Sequence, residues 1–130
     1  MFKITNPKNP TFDKHITENE ASYVTYLFDK AVTKNKPIIL YYKTEKESKN
    51  SVEFNKNIGI IMNDSNYQNK FEFILAQPSQ TTQLSHENNK LLNQCTDKFC
   101  LINPAANKVQ SYKLRDLSDI AVFRQVLDQF

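Results

Sequence analysis

The sequence predicts one α+β domain that is mainly β: an N-terminal helix, a small five-stranded antiparallel barrel and a short C-terminal helix. Three observations support this fold class. A capped amphipathic pattern precedes residue 35, short apolar runs separated by polar turns follow it, and a second helical pattern closes the chain. We find no alternation of strands and helices of the kind that predicts a parallel sheet.

The first helix is predicted over residues 18–34. Thr17 and Glu20 have the spacing of a capping box, in which each side chain bonds the backbone amide of the other. An apolar stripe at spacings of three and four follows, formed by Ala21, Val24, Leu27, Phe28, Ala31 and Val32. Pro37 ends the helix. Residues 1–16 carry two prolines and predict an extended arm, so the domain proper is residues 17–130.

The five strands are predicted to begin with residues 37–43, where Ile, Leu and Tyr side chains follow a proline. The other strands are predicted over residues 52–62, 71–76, 99–102 and 109–114. In the second strand, Ile58, Ile60 and Met62 would share one face, and Gly59 would mark a bend. A strongly bent antiparallel sheet closes most easily into a barrel, because closure removes exposed edges.

The connections are predicted from their turn-forming and polar residues. Residues 63–70 predict a hairpin connection. Residues 78–94 form a long polar segment that is either mobile or functional. A closing helix, capped by Ser118 or Asp119, is predicted because apolar residues follow at helical spacing, and a sixth strand over residues 120–123 is the competing prediction.

This order of elements resembles the Sm-like, SH3-type barrel of WYL domains, over about residues 20–123. The resemblance depends on a helix that leads into a tyrosine-bearing strand at residues 38–42, on an aromatic strand at residues 72–75, and on the closing run at residues 112–117. It implies sensing of nucleotides or nucleic acid in the control of transcription or defence. It also implies that Tyr42, Lys113 and Arg115 contact the ligand.

The charge pattern permits phosphate contact. The net charge is +3, from 17 basic and 14 acidic side chains, and only Arg115 and Arg124 are arginines. Lys43, Lys113 and Arg115 would lie together if the first and last strands of the barrel were neighbours, and Tyr41 would add an aromatic ring for stacking. The alternative is that these lysines only keep the sheet surface soluble and its edges unpaired.

No catalytic motif is present, so we expect no enzymatic activity and no cofactor. Cys95 and Cys100 would need two further ligands to hold zinc, and His86 and His15 are the available histidines. We therefore expect two ordinary reduced thiols and no bound metal. A signal peptide and long apolar runs are both missing from the sequence, which predicts a cytoplasmic protein with no membrane partner.

The function predicted from these observations is a non-enzymatic binding module that contacts nucleic acid or a nucleotide in a regulatory role, through Tyr41, Tyr42, Lys43, Lys113 and Arg115. The alternative is a small, phage-encoded interaction factor that binds and modulates a host protein. The Lys- and Asn-rich composition indicates an AT-rich bacterial or phage genome, in which case the location is the bacterial or host cytoplasm. The sequence predicts no particular oligomeric state.

Overall fold

A computed structural model of the chain describes residues 20–43, 48–76 and 90–130, and these form four α-helices and four strands. In chain order they are α1 (Glu20–Val32), β1 (Ile38–Tyr42), α2 (Lys49–Met62), α3 (Ser65–Lys70), β2 (Glu72–Ala76), β3 (Phe99–Asn103), β4 (Lys108–Tyr112) and α4 (Ile120–Gln129). Two short 3₁₀ helices, Leu92–Gln94 and Leu114–Leu117, precede β3 and α4.

The strands form one open mixed sheet in the order β2-β1-β3-β4. β1 is parallel to β2 and antiparallel to β3, and β4 is antiparallel to β3. The predicted five-stranded antiparallel barrel is therefore wrong. The reason lies in the connection between β1 and β2: α2 and α3 carry the chain back to the starting end of the sheet, so the second strand pairs in parallel. Within the described residues, the outer strands β2 and β4 do not pair with each other.

The segment predicted as the bent second strand, residues 52–62, is helical and forms most of α2. Its buried side chains include Phe54, Ile58 and Ile61, spaced by four and three residues, whereas Ile60 is 39% exposed. The apolar pattern therefore has the helical period of 3.6 rather than the strand period of 2. Gly59 lies inside this helix and does not mark a bend in a strand.

Two hydrogen bonds between side chains and backbone fix the start of α2. Ser48 is the N-cap, and its hydroxyl accepts a hydrogen bond from the Ser51 N–H at 3.2 Å. The Ser51 hydroxyl in turn accepts from the Ser48 N–H at 2.8 Å. This reciprocal pair satisfies two amides at the helix start that would otherwise lack a partner.

The predicted hairpin connection over residues 63–70 is also wrong, because residues 65–70 form the short helix α3. Asp64 caps this helix, and its carboxylate accepts a hydrogen bond from the Asn66 N–H at 3.0 Å. Aspartate and asparagine favour both turns and helix N-caps, so the same residues fit either structure.

The remaining elements agree with the sequence-based predictions. The helix over residues 18–34 is confirmed for α1, and the strands near residues 38–42, 71–76, 99–102 and 109–114 are confirmed as β1 to β4. Asp119 caps α4, so the competing strand over residues 120–123 is wrong. Three predictions lie outside the described residues: the capping threonine Thr17, the arm over residues 1–16, and residues 78–89 of the polar segment.

The sheet separates two apolar cores. One face, including Tyr41, Phe99 and Leu101, packs against α2, α3 and α4. The other face, including Leu40 and Ile102, packs against α1. Because β1 has a strand on either side and a helical layer above and below it, all five of its residues are buried.

Candidate functional site

Three strands end and one begins at the same end of the sheet, which we call the carboxyl end. β1 ends at Tyr42, β2 at Ala76 and β4 at Tyr112, and β3 begins there with Phe99. Two backbone bonds hold this end together: Lys43 N–H donates to Ala76 O, and Tyr42 N–H donates to Lys98 O, both at 2.8 Å. Loops at the carboxyl ends of strands often carry functional side chains, so this end of the sheet is the first place to look for a site.

Lys98 and Lys113, which we call the lysine pair, lie next to each other at this end. Phe99 pairs with Tyr112 at the end of the β3–β4 ladder; Lys98 directly precedes Phe99, and Lys113 directly follows Tyr112. Adjacent strands are about 5 Å apart in the sheet, which places two cationic residues on neighbouring strand ends. Both residues are exposed, and neither forms an ion pair within the described part of the chain.

Of the predicted site residues, Tyr41 is fully buried. Its hydroxyl donates to Asn55 Oδ1 at 2.7 Å, and its ring packs edge-on against Phe54 with a centroid distance of 4.7 Å. Burial raises the pKa of its phenol well above the ordinary value. In this structure Tyr41 connects β1 to α2 and does not present its ring to solvent.

Tyr42 points to the opposite face of the sheet from Tyr41, as alternation along a strand requires. It is 7% exposed and belongs to the core beneath α1. Burial, followed by the nearby thiols of Cys95 and Cys100, raises the pKa of its phenol. The structure thus places the two predicted tyrosines in two different cores.

The predicted cations lie at the same end of the sheet but on non-adjacent strands. Lys43 follows β1 and is half-buried, while Lys113 follows β4, and β3 lies between them. Arg115 lies in the 3₁₀ helix after β4, where its Nε is 3.9 Å from Asp116 Oδ1 and its side chain is 66% exposed. The sequence prediction did not include Lys98, the residue that stands between these two strand ends.

Cys95 and Cys100, which we call the thiol pair, lie on the α1 side of the sheet next to Tyr42. Cys100 is the second residue of β3 and is fully buried, whereas Cys95 follows the Leu92–Gln94 3₁₀ helix and is half-buried. The interaction of the two thiols with each other, ahead of burial, raises the pKa of Cys95 and lowers the pKa of Cys100.

A cleft of about 240 Å³ lies between the end of α1 and the outer strand β2. Leu27 and Phe73 are among its lining residues. Both lysines that line this cleft already have partners. Lys34 Nζ is 2.8 Å from Glu72 Oε1, and Lys30 Nζ lies 5.2 Å from the centroid of the Tyr26 ring. This cleft is therefore a weaker candidate for an anion site than the lysine pair.

The described residues contain no cluster of three or more His, Cys, Asp or Glu side chains suited to a metal ion. His15 and His86, the histidines considered for a zinc site, lie outside those residues. Within the same ranges, the helices are all too short or too polar to cross a bilayer.

Comparison with known proteins gives no match to a family model, to a curated protein or to a solved structure. The carboxyl end of the sheet and the thiol pair are thus defined by geometry alone.

Proposed function

We propose that this protein is a non-enzymatic binding module that holds the phosphate groups of nucleic acid at the carboxyl end of its sheet. One observation carries the proposal. Lys98 and Lys113 lie on adjacent strand ends, both exposed, with no carboxylate partner among the described residues.

The energetics of this arrangement support an anionic ligand. Like charges held close together repel each other. A phosphate held between Lys98 and Lys113 would remove this repulsion and replace it with two favourable contacts. Asp97, directly before Lys98, and Asp116 lie in the same region. Asp116 Oδ1 is 3.9 Å from Arg115 Nε, and among the described residues Asp97 forms no ion pair with Lys98 or Lys113.

Helix α2 adds to the positive potential at this end of the molecule. It starts at Lys49, seven residues after the last residue of β1, and its first turn contains no acidic residue. The N-terminus of a helix carries a partial positive charge, which favours anions nearby. The helix start is a supporting feature, because its Ser48 and Ser51 side chains are occupied in capping.

The expected mode of binding is contact with phosphate rather than recognition of bases. The Tyr41 and Tyr42 rings are buried and offer no stacking surface in this structure. Affinity would therefore come mainly from lysine–phosphate contacts, which are largely independent of sequence and weaken as salt rises.

The test measures the binding of a fluorescent single-stranded oligonucleotide by anisotropy over a series of salt concentrations. We expect Lys98→Ala/Lys113→Ala to lower affinity and to reduce the slope of log affinity against log salt by roughly 0.7 for each phosphate that is no longer neutralised. The matched control is Lys36→Ala/Lys56→Ala, because Lys36 precedes β1 at the other end of the sheet and Lys56 is exposed on α2. The control should retain the wild-type affinity and slope.

Competition with a mononucleotide distinguishes a small ligand from a polymer, since a nucleotide site would be saturated by the monomer. Failure of the wild-type chain to bind either ligand at low salt would overturn the proposal. Equal affinities for the lysine double variant and the wild type would overturn the assignment of the site. Retention of a host protein in a nuclease-treated pull-down, with no nucleic-acid binding, would favour the interaction-factor alternative.

A further inference from the structure

The thiol pair is held in place by a third side chain, that of Ser111 on β4. The Ser111 hydroxyl lies 3.5 Å from Cys100 Sγ, accepts a hydrogen bond from the Thr96 N–H at 3.1 Å, and donates to Gln94 O at 3.4 Å. Gln94 and Thr96 are the two neighbours of Cys95 in the chain. One hydroxyl therefore positions the backbone on both sides of Cys95 beside the sulfur of Cys100.

The two sulfurs differ in access and in charge. Cys95 is half-buried and is the more accessible of the two residues, while Cys100 is fully buried at the start of β3. Cys100 Sγ also lies 3.7 Å from Asp97 O. The lowered pKa of Cys100 favours its thiolate, the form in which a resolving cysteine attacks a mixed disulfide.

We propose that Cys95 and Cys100 form a redox-active dithiol that exchanges with small disulfides of the glutathione type and closes an intramolecular disulfide between β3 and the segment before it. This site is separate from the lysine pair and does not depend on nucleic-acid binding.

The exchange proceeds in two balanced steps. In the first, Cys100 starts as its thiolate and takes the proton of Cys95. The Cys95 sulfur attacks one sulfur of the small disulfide, forming a mixed disulfide and releasing one thiolate, which then takes the proton from Cys100. In the second step, the Cys100 thiolate attacks the Cys95 sulfur and releases the second small thiolate, which takes from solvent the proton that Cys100 lost when it ionised. The pair loses two electrons, which reduce one disulfide to two thiols.

The order of attack follows from burial. Cys95 is the entry sulfur because it is the accessible one, and Cys100 is the resolving sulfur because it is enclosed. The chain contains only these two cysteines, so an intramolecular product has a single connectivity.

The experiment incubates the fully reduced, full-length chain with oxidised glutathione and follows intact mass and free thiols under native conditions. The wild-type chain should lose both thiols together and the mass of two hydrogen atoms, and it should remain a monomer on a non-reducing gel. Cys100→Ala should instead gain one stable glutathione adduct at Cys95, because the resolving thiol is missing. Cys95→Ser should gain none while folded, because Cys100 is enclosed.

A more conservative variant, Ser111→Ala, keeps both thiols and removes only the hydroxyl that positions them. We expect the mixed disulfide to persist longer in this variant than in the wild type.

Retention of both free thiols in excess oxidised glutathione would overturn the proposal. A stable mixed disulfide on the wild-type chain, a disulfide-linked dimer, or zinc bound stoichiometrically to the purified reduced chain would each overturn it as well.

Discussion

The buried side chain of Asn57 on α2 donates to the Ser118 carbonyl oxygen at 2.8 Å and to the Leu117 carbonyl oxygen at 3.3 Å. These two carbonyls belong to the turn between the second 3₁₀ helix and α4. Asn57 is 4% exposed. In the described part of the chain, Asn57 and Ser51 are the two buried polar residues. Its amide thus holds α2 against the start of α4.

We expect Asn57→Ala to lower the free energy of unfolding by about 1–3 kcal/mol, because the substitution leaves buried carbonyls without a donor. The measurement is equilibrium unfolding in urea. Asn50→Ala is the matched control, since Asn50 is exposed on the same helix and the change in helix propensity has the same sign. Equal effects of the two substitutions would contradict the structural role of Asn57.

A pair of isoleucines tests directly whether residues 52–62 are helical. Ile58 is fully buried and Ile60 is 39% exposed, a difference that only the helical period produces. We expect Ile58→Ala to cost about 2–5 kcal/mol of unfolding free energy, from lost burial and the cavity left behind. Ile60→Ala should change it by less than about 1 kcal/mol. Losses of similar size at both positions would indicate that the two side chains share one face.

The acid stability of the protein should depend on the ion pair between Asp64 and Arg124. Arg124 Nη1 lies 2.6 Å from Asp64 Oδ2, and this hydrogen bond, followed by the one from the Asn66 N–H, holds the pKa of Asp64 below its ordinary value of 3.8. A lowered pKa in the folded state means that the stabilisation is fully present above the ordinary value and is lost as pH falls through the folded value.

We therefore expect the midpoint of thermal unfolding to fall less steeply below pH 4 in Asp64→Asn than in the wild type, because the variant has no carboxylate to protonate. Asparagine still caps a helix, so α3 should retain its start. Asp119→Asn, the same change at the N-cap of α4, is the control, because Asp119 forms no ion pair among the described residues; the contribution of the ion pair is the difference between the two variants. An unaltered acid profile for Asp64→Asn would show that the ion pair contributes nothing.

Local sequence patterns were sufficient to predict most of the individual helices and strands. The sheet topology, however, depended on α2, which was not predicted as a helix. Residues 38–42 are apolar on both faces and follow a proline, so β1 could be recognised directly. In residues 52–62, Ile58, Ile60 and Met62 favoured a strand, although Phe54, Ile58 and Ile61 have helical spacing. With residues 52–62 predicted as a strand and residues 63–70 as a hairpin connection, the helical crossover between β1 and β2 was missed, and an antiparallel barrel followed from that error.

The site could be predicted only in part, because strand register is not encoded in local spacing. The sequence suggested that Lys43 and Lys113 would be close if the first and last strands were neighbours. In the structure β3 lies between those strands, and it brings Lys98 next to Lys113. The burial of Tyr41 likewise depends on α2, which covers that face of the sheet.

Tyr41 provides the last test, because the sequence placed it in the ligand site and the structure places it in a core. We expect Tyr41→Phe to leave the affinity for a single-stranded oligonucleotide unchanged. It should lower the free energy of unfolding by about 0.5–1.5 kcal/mol, since the substitution removes the hydrogen bond to Asn55 Oδ1.

Anisotropy and urea unfolding, measured on the same preparation, separate these two effects. Tyr112→Phe is the matched control, because its hydroxyl donates to Gln110 Oε1 at 2.6 Å, within β4. If Tyr41→Phe lost oligonucleotide binding while its unfolding free energy matched the wild type, the Tyr41 hydroxyl would contact the ligand. The binding surface would then have to include the space between β1 and α2, and the lysine pair would be only its rim.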